Sequence, residues 1–126
     1  MSALELKVST SKRVLDWKLA WESRDPGRVV SLYAPDATHA SAKVSQLRPE
    51  LRRSELHGID EIREYARVAF NRFTWLRFDL LTVTESGDRA AVEYHRFSNL
   101  DEKPSHVLEL IEWRGEQISA VRVFHY

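Results

Sequence analysis

The stretch ARVAFNRFTWLRFDLLTVTESG, residues 66–87, contains the change of hydrophobic period that decides the fold. Up to Phe73 the apolar residues recur mainly at helical spacing, whereas from Arg77 to Tyr126 the chain reads as four strand-like runs. The turn signals between these runs are Ser86-Gly87-Asp88, Asn99 to Pro104 and Arg114-Gly115-Glu116. Helices followed by an antiparallel meander predict an α+β fold in which helices cover one face of a sheet.

The composition predicts one globular domain spanning residues 1–126. Nineteen basic residues balance nineteen acidic ones, which argues against binding to nucleic acid or to an acidic membrane surface. The chain has no cysteine, which removes disulfides, thiolate nucleophiles and cysteine-based zinc sites, and which fits a cytoplasmic location. Met1 to Val14 has no apolar signal region, and no stretch has the apolar length of a membrane span.

Capping signals predict three helices before the meander. Ser9-Thr10-Ser11 offers N-caps for a first helix that ends near Asp25, and Asp25-Pro26 restarts the chain in a short second helix. Alternation from Ala37 to Val44 predicts a strand, which a polar loop from Ser45 to Arg53 follows. Ser54 to His57 is expected to form a short edge strand, and His57-Gly58 to turn into the third helix. The apolar stripe of that helix is Ile59, Ile62, Ala66, Ala69, Phe70 and Phe73.

Four motifs in this order resemble a known family. They are WKLAWESRD (17–25), VSLYAPDAT (30–38), GIDEI (58–62) and the closing VRVFHY (121–126). The arrangement resembles the nuclear transport factor 2-like superfamily, specifically its SnoaL-like and ketosteroid isomerase-like bacterial members. The resemblance implies a cone-like roll, usually dimeric, in which three N-terminal helices pack on a curved, mainly antiparallel sheet and close a hydrophobic pocket. It implies no single reaction, because the fold hosts isomerases, cyclases, dehydratases, hydrolases and simple binders.

The isomerases of this superfamily provide a test of site chemistry. They place a tyrosine on the first helix, a carboxylate base on the first strand and a protonated acid on the third meander strand. Aligned on the motifs, these positions fall on Trp17, Ser41 and Glu109. Only Glu109 keeps carboxyl chemistry, and a serine needs an activating partner to take a proton from carbon. Steroid isomerisation by that mechanism is therefore not expected.

Strand alternation extends the expected pocket from these positions. If Ser41 and Glu109 point inward, His39 and Trp113 do so as well. The same matching places Tyr94 and Arg96 inward on the second meander strand, and Arg122 and Phe124 inward on the last. We therefore predict His39 and Glu109 as catalytic candidates. The predicted ligand-binding residues are Trp17, Ser41, Phe78, Tyr94, Arg96, Trp113, Arg122 and Phe124.

Each polar candidate has a functional and a structural interpretation. His39 is the best candidate base because histidine titrates near neutrality, and alternatively it is a hydrogen-bonded histidine that fills the mouth of the cone. Glu109 is either an acid or the partner of Arg96 or Arg122 in an internal ion pair. The two arginines in turn either clamp a carboxylate ligand or lie on the rim with their guanidinium groups in water.

Three functions stay open at this point. The first is a cofactor-independent acid/base enzyme acting on a small apolar carbonyl, hydroxyl or epoxide compound, the second is a non-catalytic small-molecule binder, and the third is a dimerisation module whose pocket is filled by its own aromatic side chains. No metal or cofactor is expected, because the five histidines lie on separate predicted elements and no phosphate-binding loop or dinucleotide fingerprint is present. A homodimer is predicted through the outer sheet face, which would expose Leu108, Leu110, Val121 and Val123.

Overall fold

The structure is a computed structural model and describes residues 10–126. The meander and its three turns are confirmed, and no helix in this range is long and apolar enough to cross a membrane. In chain order the elements are α1 (Lys12–Glu22), α2 (Pro26–Val30), β1 (Tyr33–Ala40), α3 (Ala42–Leu47), a 3-10 turn (Pro49–Leu51), β2 (Glu55–His57), α4 (Ile59–Phe70), β3 (Leu76–Ser86), β4 (Arg89–Ser98), β5 (Ser105–Arg114) and β6 (Gln117–His125).

The helix starts follow the capping signals of the sequence. Ser11 caps α1 by accepting a hydrogen bond from the Val14 N–H at 3.4 Å, while the other candidate cap, Ser9, lies outside the described residues. Asp25 caps α2 through the N–H groups of Gly27 and Arg28. Each such cap satisfies backbone donors that the first helical turn leaves without partners.

The expectation of a strand from Ala37 to Val44 is correct only as far as Ala40. The chain leaves β1 there, and the hydroxyl of Ser41 accepts a hydrogen bond from the Lys43 N–H at 3.1 Å to cap α3. A serine side chain offers the backbone this local partner in place of a sheet hydrogen bond, which ends the strand. The chain therefore forms a fourth, short helix, α3, between β1 and β2, in addition to the three helices that were predicted.

The six strands form one curved, unclosed, mainly antiparallel sheet in the order β2-β1-β6-β5-β4-β3. β1 runs parallel to β6, and β2 pairs only with β1, which confirms it as an edge strand. The helices lie on one face of this sheet, and the core between the two layers includes Val14, Trp17, Ile62, Phe78, Val92 and Ile111. This is the α+β arrangement that the change of hydrophobic period predicted.

A bulge interrupts the pairing of β5 with β6. Glu112 pairs with Ala120, but the next residue, Trp113, pairs with Ile118, so that Ser119 is one extra residue on β6. A bulge of this kind reverses the side-chain alternation of the strand that carries it. After Ser119, each residue of β6 therefore faces the side of the sheet opposite to the one that alternation counted from Ile118 would give.

The bulge overturns two predictions about the last strand. Arg122 and Phe124 were expected to face the helices, but they pair with the outward-facing leucines of β5 and lie on the outer face. Val121 and Val123 were expected on the outer face, but Val121 is only 1% exposed and Val123 lines the interior cavity. Both expectations carried the alternation from Ile118 across Ser119, which reversed every later side chain.

Candidate functional site

A cavity of about 230 Å³ lies between the sheet and the helices. Apolar and polar side chains both line it, and the polar groups come from β1, the start of α3, α4 and the turn after it, β4 and the turn after it, β5 and the end of β6. The apolar wall includes Trp21, Tyr65, Ala69, Phe70, Phe73 and Phe78. Because a cavity of about 150 Å³ in another protein holds benzene, this space accommodates a small molecule.

Six of the ten predicted site residues line this cavity, and they are His39, Ser41, Phe78, Tyr94, Arg96 and Glu109. Trp17 and Trp113 are buried in the same layer but do not line it. The Trp17 ring centroid lies 5.5 Å from that of Phe78 and 5.6 Å from that of Tyr94, so Trp17 supports the wall from behind. The Arg13 guanidinium lies over the ring of Trp113, with its Cζ 4.2 Å from the ring centroid. Arg122 and Phe124 are on the opposite face of the sheet.

Glu109 is a buried carboxyl that is only half satisfied. Its side chain is 6% exposed, and its Oε1 accepts a hydrogen bond from the Tyr94 hydroxyl at 2.6 Å. Its Oε2 is buried without a hydrogen-bond partner among the described residues. Arg96 pairs instead with Asp101 at 3.3 Å, and Arg122 is on the other face, so the internal ion pair considered for Glu109 is absent from this part of the chain.

Burial sets the protonation state of this carboxyl. It raises the pKa of Glu109 to about 7, while the Tyr94 hydrogen bond opposes the rise. The Trp17 indole opposes it as well, although its N–H does not reach hydrogen-bond geometry. Burial and the nearby Glu109 carboxyl raise the pKa of Tyr94 well above its usual value. Tyr94 therefore keeps its proton, and Glu109 populates both protonation states near neutral pH.

His39 is also buried, but its environment is aromatic. It is 3% exposed, and its ring centroid lies 5.8 Å from that of Trp21 and 5.6 Å from that of Tyr65. Burial lowers the pKa of His39 to about 4, because a charged imidazolium loses its hydration there. Its Nδ1 has no hydrogen-bond partner among the described residues. At neutral pH this histidine is a neutral hydrogen-bonding group.

Five polar residues of the cavity wall were not predicted from the sequence: Lys43, Tyr65, Arg72, Asp101 and His125. Lys43 was assigned to a strand rather than to α3, and the bulge at Ser119 concealed the inward direction of His125. Tyr65 had a usable signal, because it follows Ile62 by three residues and so lies on the same helix face. Burial raises the pKa of Tyr65 to about 12, which keeps its hydroxyl protonated.

The histidines and carboxylates of the cavity are dispersed along its wall. Within residues 10–126 no group of three or more histidine, aspartate or glutamate side chains that could hold a metal ion is present. His39 and Glu109 lie on strands separated by β6. The polar groups of the cavity are thus spread over several elements of the described part of the chain rather than grouped at one point.

Helices that close a cavity against one face of a curved sheet define the nuclear transport factor 2-like class of folds. Residues 13–122 match the model of the SnoaL-like domain, and the chain belongs to this family. The resemblance found in the sequence motifs is therefore confirmed at the level of the family. Among curated proteins no sequence matches the chain.

Solved structures give the same fold. A SnoaL-like protein of unknown function from Burkholderia thailandensis is 19% identical over 89% of each chain, with a TM-score of 0.74. A proposed polyketide cyclase from Sinorhizobium meliloti is 14% identical over 98% of this chain and 100% of its own, with a TM-score of 0.74. A hypothetical protein of ketosteroid isomerase-like fold from Catenulispora acidiphila, in complex with trimethylamine, is 18% identical over 92% and 86%, with a TM-score of 0.72. At these identities the likeness establishes the fold.

Proposed function

We propose that the protein is a cofactor-independent acid/base enzyme that binds a small, largely apolar molecule through a carbonyl or hydroxyl group. The observation that carries this proposal is the half-satisfied carboxyl of Glu109 in the wall of a cavity that apolar side chains share with a set of polar groups. A buried polar atom without a partner costs stability, and a ligand that hydrogen-bonds to Oε2 offsets that cost. A concave site that combines apolar side chains with placed polar groups is typical of small-molecule binding, which supports the proposal.

Glu109 is the side chain whose two protonation states suit it to act as an acid and as a base near neutral pH. With a pKa of about 7, its neutral form donates a proton to a carbonyl oxygen and its ionised form accepts one from an adjacent C–H or O–H group. Tyr94 keeps its proton and holds the carboxyl in place at 2.6 Å. Isomerisation moves a proton between carbons next to a carbonyl group, cyclisation forms a carbon–carbon bond after a proton is removed there, and dehydration breaks a carbon–oxygen bond as the leaving hydroxyl takes a proton and leaves as water. Each reaction needs such proton transfers. His39, neutral at this pH, serves as a hydrogen-bonding group, and its role as the base stays a prediction from the sequence.

Two relatives support a small-molecule ligand. One is a proposed polyketide cyclase, and another was crystallised with trimethylamine. Both share the fold of this chain, and the proposal transfers from them only the use of the cavity, since site chemistry varies within a fold.

A non-catalytic binder is the second candidate, because one observation favours it. The position of the isomerase base is Ser41, whose hydroxyl already caps α3 and lies 3.4 Å from the His125 Nε2. A serine engaged in this way is a recognition group rather than a base. A module with a filled pocket has less support, because Trp17 and Phe78 pack together and still leave a cavity of about 230 Å³.

A ligand screen followed by turnover assays tests the proposal. Small cyclic ketones and hydroxylated compounds are screened by thermal shift, and each compound that binds is assayed for conversion. We expect Glu109→Gln to abolish conversion and to weaken binding, while Glu112→Gln, on the outer face of the same strand, changes neither. Conversion that survives Glu109→Gln contradicts the assignment of Glu109. Compounds that bind wild-type protein without conversion favour the binder.

Two further expectations remain proposals. A homodimer through the outer sheet face is proposed with the corrected set of outward residues, since Phe124 is 49% exposed there. A cytoplasmic location is proposed from the cysteine-free sequence.

A further inference from the structure

We propose that the ligand of this cavity is an organic acid whose carboxylate lies at the cavity mouth, among Lys43, Arg72, Arg96 and His125. This inference rests on the proposed small-molecule function and names the class of ligand. All four residues line the cavity, and all four keep contact with solvent, whereas Glu109, which lines the same space, is buried. The three cations, Lys43, Arg72 and Arg96, therefore mark the open side together with His125, and the carboxyl of Glu109 marks the interior.

The charge at this mouth is not balanced by the protein. The whole chain has nineteen basic and nineteen acidic residues, so a local excess is not a consequence of its composition. Of the two carboxylic acids that line the cavity, Asp101 is paired with Arg96 at 3.3 Å, and Glu109 is partly neutral near pH 7. Lys43 and Arg72 have no acidic counterpart in the lining. An anionic ligand group supplies the missing charge.

The cations also have unused donors. The Nζ of Lys43 and the guanidinium of Arg72 make no ion pair or side-chain hydrogen bond with any described residue. By contrast, Lys12 and Lys18 on α1 pair with carboxylates at 2.7 Å and 2.9 Å. Arg96 bonds through one nitrogen to Asp101 and Ser105, but its Nε is buried and has no partner in residues 10–126.

The positive charges lie close enough to act on one another. His125 places its Nε2 3.4 Å from the Ser41 Oγ, at the edge of the cavity. Its pKa is lowered by burial first, and then by the charges of Lys43 and Arg96. Cations that disfavour the charging of a neighbouring imidazole share one electrostatic site. A carboxylate placed beside Lys43 and Arg96 interacts favourably with both cations.

The side chains of the cavity interior indicate the structure of the rest of the ligand. The cavity that the cations share with the Glu109–Tyr94 pair is also lined by the aromatic side chains of Trp21, Phe70 and Phe78. The matching ligand is a cyclic or aromatic acid with its ring against these side chains. A carbonyl or hydroxyl group on the far side of the ring reaches Glu109. A neutral ligand of the same shape leaves the mouth cations without a partner.

Matched pairs of probes test the inference with the full chain. The probes are phenylacetate with phenylacetamide and 1-naphthylacetate with 1-naphthylacetamide, in which the acid and the amide share one shape and differ in charge. Dissociation constants are measured by calorimetry at low salt, where surface charge is least screened. We expect at least one acid to bind at least tenfold more tightly than its amide. Lys43→Gln and Arg72→Gln should each weaken binding of the acid about threefold or more without changing binding of the amide.

Two controls separate this inference from the proposed function. Arg28→Gln removes one exposed cation from α2, outside the cavity, and should leave both dissociation constants unchanged. Ala69→Trp fills the cavity from α4 and should remove binding of both probe types. Acid and amide that bind equally, and that both lose binding in Ala69→Trp, overturn the organic-acid inference and leave the small-molecule function standing. Preferential acid binding that neither Lys43→Gln nor Arg72→Gln reduces also overturns the inference. If no probe binds, the organic-acid inference fails, and the screen of cyclic ketones and hydroxylated compounds decides the small-molecule function separately.

Discussion

Burial acts in opposite directions on the two titratable groups in the cavity interior. It raises the pKa of Glu109 from 4.5 to about 7 and lowers that of His39 from 6.5 to about 4. Between about pH 4.5 and 7 the folded state binds more protons at Glu109 than the unfolded state does, so this group makes the free energy of unfolding fall as pH rises. At His39 the unfolded state binds more protons, so this group makes the free energy of unfolding rise with pH. From about pH 4.5 to 6.5 the two effects oppose each other.

Single substitutions should separate these opposing effects. Relative to wild-type protein, Glu109→Gln should gain stability as pH rises from 4.5 to 6.5, and His39→Gln should lose stability over the same interval. Each change is on the order of 2 kcal/mol over this interval, from the free energy of one pKa unit. Urea unfolding at several pH values measures both slopes. If the free energy of unfolding of both variants changes with pH in parallel with that of wild-type protein, neither pKa is displaced as the structure implies.

The hydroxyl of Tyr94 should hold down the pKa of Glu109. Removing it in Tyr94→Phe deletes a hydrogen bond to a carboxylate, a contribution of about 1.5–3 kcal/mol, which should raise the pKa of Glu109 to about 8 or above. Carbon-13 NMR titration of the side-chain carboxyl follows this, with Glu109→Gln identifying the resonance. Tyr65→Phe is the control, since the Tyr65 hydroxyl is not bonded to Glu109. An unchanged titration in Tyr94→Phe would remove Tyr94 from the account of this carboxyl.

At the scale of the elements, the start of α4 determines how one cavity wall is placed. Gly58 precedes this helix with φ 85° and ψ 163°, a conformation that is essentially restricted to glycine. A Cβ at this position would lie 3.4 Å from the Pro35 carbonyl oxygen. From this start the helix presents Tyr65, Ala69 and Phe70 to the cavity. The backbone conformation at the start of α4 therefore explains why the GIDEI motif begins with glycine.

Substitution of this glycine should be costly. Gly58→Ala should lower the free energy of unfolding by about 1–3 kcal/mol, the cost of holding a side chain in that region. Gly87→Ala in the β3–β4 turn should cost less, because its φ of 58° is the left-handed helical value and nothing lies within 4 Å of the added carbon. Urea unfolding of both variants compares them directly. An equal or smaller loss for Gly58→Ala would contradict this account of the helix start.

Local signals explain which elements the sequence could predict. Caps and apolar spacing act over a few residues, so α1, α2, α4 and the meander follow from them. The bulge at Ser119 adds one residue without interrupting the apolar pattern, and its presence depends on pairing with a distant strand. The residues after it still held a signal, because Val121, Arg122 and Val123 alternate in favour of inward valines. The same error of parity placed Arg122 and Phe124 in the site and left His125 out of it.

At the scale of the whole molecule, the corrected parity changes the composition of the outer sheet face. Phe124 is 49% exposed there and pairs with Leu108, while Leu110 pairs with Arg122. At the end of the face, the ring of Tyr126 stacks on that of His106 at 4.1 Å. The face still combines apolar and aromatic groups in a form suited to a twofold contact. The predicted homodimer therefore keeps its surface but changes the residues at its centre.

Two substitutions on β6 distinguish the two faces and test the dimer. Phe124→Glu places a charge on the exposed outer face, so it should favour the monomer with little loss of stability. Val121→Glu places a charge at a position that is 1% exposed on the helix side, so it should destabilise the fold by several kcal/mol, roughly the cost of an unpaired buried charge. Light scattering with size-exclusion chromatography measures the first effect, and urea unfolding measures the second. A wild-type chain that is monomeric at micromolar concentration would refute the dimer, and a well-folded Val121→Glu protein would refute the register of β6.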